Sequence, residues 1–198
     1  MELIGVDECG LGPIAGPCTV AAVVFLRHRD LKKAPVQGLR DSKKLSHNRR
    51  AELEEKIREQ ALHWVIAQSN STTIDRHGIA ACKRACMRAC ILRCRERYPE
   101  ALAIVDGNDP VQGVTNLQMM VKADDKVAAV SAASILAKVF RDRYMVKMAY
   151  RYPKYGFERH MGYPTKAHKE ALRKFGVCPQ HRRSYKPVMQ LLEGRATI

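Results

Sequence analysis

Several features that would place the protein in a special class are missing from this sequence. It has no internal repeat and no low-complexity tract, and its 198 residues suffice for one sizeable core. The longest apolar run, Cys18–Leu26, is far shorter than the ~20 residues of a membrane-spanning helix. Glu2, Asp7 and Glu8 lie where a secretory signal needs a basic flank and an apolar stretch. We therefore expect a cytoplasmic protein with no membrane partner.

The cysteines lack the spacing of a structural zinc site. Seven cysteines without an export signal indicate reduced thiols. Four of them, Cys82, Cys86, Cys90 and Cys94, recur every fourth residue along one predicted helix, without the paired short spacings that bind zinc. Cysteine also behaves as a small buried hydrophobe, so we expect this stripe to pack in the core or to be partly exposed, rather than to bind metal or undergo redox chemistry.

Acidic residues are scarce in the C-terminal third of the chain. Residues 138–198 contain 15 Lys and Arg against four Asp and Glu, whereas residues 1–137 contain 20 against 16. A basic segment of this density predicts a polyanionic partner, because neutralised phosphates release counterions. The alternative is a solvated basic surface that only keeps the protein soluble. We favour nucleic acid as the partner.

Strand and helix patterns alternate along the chain, which predicts an α/β fold. The predicted strands are 3–6, 18–26, 62–69, 101–105 and 117–121. The predicted helices are 47–60, 74–98 (preceded by Ser71-Thr72-Thr73), 128–150 and 165–175. The first two strands form an antiparallel hairpin, and we expect residues 1–145 to form the main domain and residues 146–198 a small basic helical extension.

Acids follow the apolar strands at the positions where α/β proteins build sites. Asp7 and Glu8 follow one predicted strand, Asp106 ends another, and Asp124 and Asp125 precede the helix at 128. Such a cluster in a protein of net charge +15 is suited to Mg²⁺, which prefers carboxylate oxygens. Because consecutive strand residues face opposite ways, Asp7 and Glu8 share a site only if the strand bends. The alternative is that these acids merely end strands and pair with nearby lysines.

Several sequence blocks resemble those of ribonuclease HII, in the same order from residue 3 to about residue 188. They are Gly5-Val6-Asp7-Glu8-Cys9-Gly10-Leu11-Gly12-Pro13-Ile14-Ala15-Gly16-Pro17, Asp41-Ser42-Lys43-Lys44-Leu45-Ser46, Val105-Asp106-Gly107-Asn108, Lys122-Ala123-Asp124, Ser131-Ala132-Ala133-Ser134-Ile135-Leu136-Ala137-Lys138-Val139, Gly162-Tyr163-Pro164-Thr165 and His181-Arg182-Arg183-Ser184-Tyr185. The resemblance implies an RNase H-like mixed sheet flanked by helices, with a small C-terminal helical extension.

The resemblance also implies an activity and a catalytic set. The activity is metal-dependent endonucleolytic hydrolysis of the RNA strand in RNA/DNA hybrids, with Mg²⁺ or Mn²⁺ and a two-metal mechanism. DNA with embedded ribonucleotides is a further expected substrate, and we expect a monomer. The catalytic and metal-binding residues that it implies are Asp7, Glu8, Asp106 and Asp124. Asp125 matches a variable position, so we expect it to be solvated.

The glycine segment departs from the family pattern at one residue. In ribonuclease HII this loop reads Gly-Arg-Gly, and its backbone approaches the 2′-hydroxyl of the ribonucleotide. Here it reads Gly10-Leu11-Gly12, so the glycines are present but the guanidinium is missing. We expect all three residues to contact substrate. If the family's arginine side chain positions the substrate, cleavage at single ribonucleotides should be weak relative to long hybrids, and we favour this outcome. The alternative is that the glycine backbone groups dominate, so that Leu11 lowers affinity but keeps the preference for the 2′-hydroxyl.

Four further residues resemble substrate contacts of the family. Lys43 and Lys44 match its phosphate-contacting lysines, with a solvated loop pair as the alternative. Tyr163 matches the tyrosine that stacks on a sugar, with ordinary packing as the alternative. Arg182 is a candidate phosphate contact, with a basic surface as the alternative.

Two other functions are weighed against this one. A module that binds hybrids without cutting them would lack at least one of the acids, but all four are present. A different nuclease of the same fold is disfavoured by the 131–139 block and by Gly162-Tyr163.

Overall fold

A mixed sheet of five strands forms the centre of the fold. The computed structural model describes residues 1–27, 33, 35–39 and 42–194, without the side chain of Lys43. The strands are β1 (Glu2–Cys9), β2 (Cys18–Leu26), β3 (His63–Ser69), β4 (Leu102–Asp106) and β5 (Leu117–Met120). Their order across the sheet is β3-β2-β1-β4-β5; β1 and β2 are antiparallel, and β4 is parallel to both β1 and β5. The predicted α/β class with a mixed sheet is confirmed.

The described residues also form seven α-helices. They are α1 (His47–Gln60), α2 (Ser71–His77), α3 (Ile79–Arg95), α4 (Ala128–Arg151), α5 (Phe157–His160), α6 (Lys166–Phe175) and α7 (Lys186–Leu192). Ser46 caps α1 and Thr165 caps α6, each by accepting a backbone N–H with its hydroxyl, as Ser and Thr do at helix starts. Of these helices, none has both the length and the apolar character needed to cross a bilayer.

The predicted single helix 74–98 is wrong, because Gly78 interrupts it. The N–H of Gly78 donates to the carbonyl of Ile74 at 2.8 Å and ends α2. Gly78 has a φ of 78°, which a residue without Cβ adopts at little cost, and α3 begins at the next residue. The good helix formers on both sides of Gly78 concealed this break.

The chain divides into two compact units. The first comprises the described parts of Met1–Cys9, Thr19–Gln68 and Lys83–Val139. The second comprises the described parts of Gly10–Cys18, Ser69–Cys82 and Phe140–Ile198. The division predicted between residues 145 and 146 stays a prediction.

The sheet of the first unit buries side chains on both faces. Along β2, Ala21 and Val23 pack with residues of α1 and α4, whereas Ala22 and Val24 pack with residues of α3. Strand β1 alternates in the same way, with Leu3 on the α4 side. Asp7 therefore belongs to the face that α4 covers, which is where the site is built.

The cysteine stripe is buried, as predicted. Cys82, Cys86, Cys90 and Cys94 are all buried and all carry free thiols. Burial raises the pKa of Cys94 to about 12 and also raises the pKa of Cys90, so neither thiol ionises near neutral pH. These residues act as small core side chains.

Two buried histidines of the second unit form a fixed hydrogen-bond chain. His181 accepts the N–H of Cys178 with Nδ1 at 2.9 Å, so its proton lies on Nε2. That Nε2 lies 3.1 Å from Nε2 of His168, which accepts it. The proton of His168 therefore lies on Nδ1 and is donated to the carbonyl of Tyr163 at 2.8 Å. This hydrogen-bond chain has room for one proton on each of the two imidazole rings, His168 and His181.

A third histidine completes this cluster. The ring of His160 stacks on His168 with centroids 4.2 Å apart. Its Nε2 donates to the carbonyl of Tyr155 at 2.9 Å, and its Nδ1 accepts the N–H of Gly162 at 3.2 Å. Burial lowers the pKa of all three histidines, to about 3 for His168 and about 4 for His181. The cluster is therefore neutral at physiological pH.

This neutrality predicts acid sensitivity. The unfolded chain takes up protons near pH 6.5, whereas the folded cluster resists them until about pH 3–4. The neutral histidines contribute stability that is fully present above pH 6.5 and is lost as the pH falls towards 4. For each histidine, the free energy of unfolding changes by about 1.4 kcal/mol per pH unit in this range. His168→Asn should flatten the dependence of Tm on pH between 6.5 and 4, measured by thermal denaturation.

The control is His77→Asn at an exposed position of α2. It should leave the slope of Tm against pH unchanged. A wild-type slope in the His168→Asn protein would contradict the role given to the cluster.

Candidate active site

Asp7 lies in the interior of the first unit, where α4 crosses β1 closely. A Cβ atom at Gly5 would lie 2.2 Å from the backbone nitrogen of Val130, so only glycine permits this approach. Asp7 is on the same side of β1 two residues later and is buried, with 6% of its surface exposed. The close crossing brings Ser134 of α4 within hydrogen-bond reach of the Asp7 carboxylate.

A chain of hydroxyls orients that carboxylate. Ser134 donates its single hydroxyl proton to Asp7, so the contact with Ser42 at 2.9 Å must be donated by Ser42. The backbone N–H of Glu8 donates to Oδ1 of Asp7 at 2.7 Å. Sequence reasoning did not single out Ser42 and Ser134 as site residues, although Ser134 is one of two serines in a stretch of α4 that is otherwise apolar.

Three of the predicted acids interact electrostatically. Burial raises the pKa of Asp7 well above its usual range, and the negative charges of Glu8 and then Asp106 raise it further. The hydrogen bonds from Ser134 and from the Glu8 N–H lower it in part. Asp7, Glu8 and Asp106 therefore form one acidic cluster.

Strand β1 stays paired with β2 through Cys9, so this ladder runs past Asp7 and Glu8. That these two acids share one site stays a prediction. The pairing of β1 with β4 ends earlier, at Val6 and Val105. Asp7 and Glu8 thus extend past the described ladder to β4, at the edge where Asp106 ends that strand. The two acids of β1 and Asp106 therefore lie near the same edge of the sheet.

Asp124 is linked to the cluster through the backbone. It lies in a single 3₁₀ turn, Ala123–Asp125, which follows Lys122 in the left-handed conformation. Oδ1 of Asp106 accepts the N–H of Ala123 at 2.7 Å, which ties this turn to the end of β4. Asp106 therefore positions the residue next to Asp124.

Asp125 faces a different partner. Its carboxylate accepts two hydrogen bonds from Nζ of Lys44, at 2.7 and 2.9 Å, and this ion pair lowers the pKa of Asp125. Asp125 is about one-third exposed, in keeping with the prediction that it stays outside the catalytic set. The same pair occupies Lys44, a predicted phosphate contact, while the side chain of Lys43 lies outside the described residues.

The donor set fits a hard divalent cation in its chemistry. Among the described residues no three His, Cys, Asp or Glu side chains converge into a ready metal-binding group. The four acids nevertheless supply only oxygen ligands, which Mg²⁺ and Mn²⁺ prefer. A cation at Asp7 would also relieve the repulsion from Glu8 and Asp106 that raises its pKa.

The predicted substrate contacts Gly12 and Tyr163 lie together in the second unit. Tyr163 is 43% exposed, and one edge of its ring would lie 3.7 Å from a Cβ at Gly12. Leu11 is half-buried and packs with Cys18, Ile74 and Cys82. The backbone of this loop, rather than the Leu11 side chain, is therefore the part available to a ligand.

Arg182 is not on the surface, contrary to the prediction of a phosphate contact. It is fully buried, and its guanidinium donates to backbone carbonyls of the glycine loop. A basic tail in the sequence suggested exposure, but this side chain has the acceptors that allow a cation to be buried.

The chain matches a known protein family over most of its length. A sequence profile described as ribonuclease HII matches residues 4–188. The chain belongs to the ribonuclease HII family. Curated relatives named ribonuclease HII include one from Polynucleobacter asymbioticus, 43% identical over 96% of this chain and 95% of its own. One from Albidiferax ferrireducens is 46% identical over 95% of this chain and 87% of its own.

Solved structures agree with the family assignment. Ribonuclease H2 from Pyrococcus horikoshii matches with a TM-score of 0.78 and 24% identity over the whole of both chains, which shows the RNase H-like fold. Ribonuclease HII in a complex with PCNA from Archaeoglobus fulgidus matches at 0.78 and 29% identity, over 94% of this chain and 96% of that chain. A ribonuclease HIII in complex with Mn²⁺ matches at 0.75 and 18% identity, over all of this chain and 71% of that chain.

Family membership settles the class of activity. The protein is a type 2 ribonuclease H, an endoribonuclease that acts on RNA/DNA hybrids. The alternative of a non-cleaving hybrid-binding module is not favoured.

The buried charge of Asp7 is expected to lower the stability of the folded protein when no metal is bound. Asp7→Asn keeps the shape and the acceptor for the Glu8 N–H but removes a buried charge that Glu8 and Asp106 repel. In chelator, we expect the variant to gain about 1–2 kcal/mol, or about 2–8 °C in Tm. Asp125→Asn is the control and should not raise Tm, because it removes an ion pair with Lys44. A lower Tm for Asp7→Asn would show that the carboxylate is stabilising as it stands.

Proposed function

We propose that Asp7, Glu8, Asp106 and Asp124 are the catalytic and metal-binding residues that hydrolyse the RNA strand of RNA/DNA hybrids. The observation that carries this proposal is the buried Asp7 carboxylate, whose pKa is raised first by burial and then by the charges of Glu8 and Asp106. A folded protein retains such a repulsive arrangement at a cost in stability, which a function explains. Mg²⁺ or Mn²⁺ bound by these acids would activate the attacking water and stabilise the leaving oxygen, in a two-metal mechanism.

The surrounding residues hold the acids ready for this reaction. The backbone N–H of Glu8 donates to Oδ1 of Asp7, and the Ser134 hydroxyl also hydrogen-bonds this carboxylate, so its orientation is fixed. Asp106 is fixed by the N–H of Ala123, which leaves its second oxygen to act on a ligand. Because these bonds are formed before substrate arrives, little reorganisation is needed during reaction.

Substrate recognition is assigned to the second unit and to the two lysines. Gly10, Leu11 and Gly12 offer backbone groups to the ribose, and Tyr163 offers an exposed ring for stacking. We assign Lys43 and Lys44 to phosphate, with Asp125 as the group that Lys44 leaves when substrate binds.

The basic residues 146–198 then form the extension that follows the duplex backbone, as their charge suggests. DNA with embedded ribonucleotides is included among the substrates. We place the enzyme in the cytoplasm as a monomer.

Cleavage by single variants tests the catalytic assignment. Asp7→Asn and Asp124→Asn should each lower kcat on a continuous RNA/DNA hybrid by about 10³-fold or more, since each removes several kcal/mol of transition-state stabilisation. Binding of the same duplex in chelator should stay within a few-fold of wild type. The measurement is steady-state cleavage of a labelled hybrid with Mg²⁺ and, separately, with Mn²⁺.

Asp125→Asn is the matched control, because it removes a carboxylate one residue away from Asp124. It should keep kcat within a few-fold of wild type. Near-normal cleavage by Asp7→Asn or Asp124→Asn would refute the assignment.

A further inference from the structure

Two arginines are buried in the second unit without the usual acidic partner. Arg141 and Arg182 are both fully buried. No Asp or Glu among the described residues pairs with either guanidinium. A buried cation is costly unless other groups compensate it, so the compensating groups show what the arginines are for.

The compensation comes almost wholly from backbone carbonyls of one loop. Arg141 donates to the carbonyl oxygens of Pro17 at 2.9 Å, Ala15 at 3.1 Å and Met161 at 2.9 Å. Arg182 donates to those of Gly16 at 2.9 Å, Leu11 at 3.0 Å and Gly10 at 2.7 Å, and to the Tyr185 hydroxyl at 2.9 Å. Five of these six carbonyls belong to residues 10–17, the segment that contains the glycine loop.

Tyr185 and Leu11 secure the same loop from a second direction. The Tyr185 hydroxyl donates to the Leu11 carbonyl at 2.6 Å, while it accepts a hydrogen bond from Arg182. The Leu11 side chain packs with Ile74 and Cys82. Both the backbone and the side chain of Leu11 are therefore fixed.

The arginines bind the carbonyl groups of the loop and leave some of its N–H groups available. The carbonyls of Gly10 and Leu11 are occupied, whereas the N–H groups of Leu11 and Gly12 donate to none of the residues that the structure describes. Gly10 has a φ of 91°, and a Cβ there would lie 2.2 Å from Nε of Arg141. The loop thus combines inward carbonyls with N–H groups that are open to an acceptor oxygen.

We propose that Arg182 and Arg141 are positioning residues for ribonucleotide recognition, holding residues 10–17 so that the Leu11 and Gly12 N–H groups are preset for an oxygen of the substrate ribose or its phosphate. The inference rests on the proposed role of Gly10, Leu11 and Gly12 in substrate binding. Discrimination of RNA from DNA then depends on a backbone held by buried cations, with no need for a charged side chain at residue 11.

A guanidinium suits this task better than an ammonium. Arg182 uses Nε and both terminal nitrogens toward acceptors that a planar fork can reach together. Lysine offers a point charge on a flexible stem and cannot hold three fixed carbonyls in the same plane. Arg182→Lys therefore retains the charge and loses the geometry.

The test measures binding rather than cleavage. Wild type, Arg182→Lys, Tyr185→Phe and Arg183→Lys are titrated in chelator with two labelled duplexes, one all-DNA and one with a single ribonucleotide. The readout is the ratio of the two Kd values, with circular dichroism and Tm recorded for each variant. We expect wild type to prefer the ribonucleotide duplex, Arg182→Lys to reduce that preference by about tenfold, and Tyr185→Phe by two- to fivefold.

Arg183→Lys is the matched control, because Arg183 is the exposed neighbour and should keep the wild-type ratio. A folded Arg182→Lys or Tyr185→Phe protein with the wild-type ratio would overturn the proposal, and Tyr185→Phe alone decides if Arg182→Lys does not fold. If a variant only loses stability, its binding to both duplexes should weaken equally and the ratio of the two Kd values should stay unchanged. That result would also overturn the proposal. If wild type itself shows no preference, the assumed substrate role of the glycine loop fails instead.

Discussion

The cost of burying a negative charge at Asp7 is the constraint on which the rest of the first unit depends. Strand β1 could have carried an apolar residue here, opposite the small side chains of α4. Instead the carboxylate is retained, held by Ser134 and by the Glu8 N–H, while Glu8 and Asp106 raise its pKa. Glycine at residue 5 lets α4 come close enough for Ser134 to reach it. Packing, register and charge in this unit all serve one carboxylate.

The second unit buries positive charge instead, and backbone carbonyl groups compensate it. Its buried guanidiniums, Arg141 and Arg182, are compensated by carbonyl dipoles rather than by acids. Its buried histidines remain neutral, and His168 uses its one proton to hold the carbonyl of Tyr163. The result is a rigid presentation of a glycine loop and a tyrosine. Buried charge in the first unit is negative and lies on a side chain of β1, whereas buried charge in the second unit is positive and is compensated by the backbone.

The sequence was sufficient for the features that depend on local pattern. An apolar run that ends in an acid marks Asp106, and an N-cap serine marks the start of α1. Prediction from the sequence failed where contacts with residues distant in the chain determine the structure. Arg182 looked like a surface residue of a basic tail, because nothing local indicates that carbonyls of residues 10–17 surround it. Gly78 broke a helix whose flanks both favour it, and the proton positions of His168 and His181 depend on each other.

The most direct test of the central claim is a titration with Mn²⁺ followed by electron paramagnetic resonance, which counts bound and free ion without any turnover. If the buried carboxylate of Asp7 is retained to bind a divalent cation, wild type should bind Mn²⁺, and Asp7→Asn should weaken that binding by at least about tenfold. Asp125→Asn should bind like wild type. Equal Mn²⁺ affinity in wild type and Asp7→Asn would contradict the account.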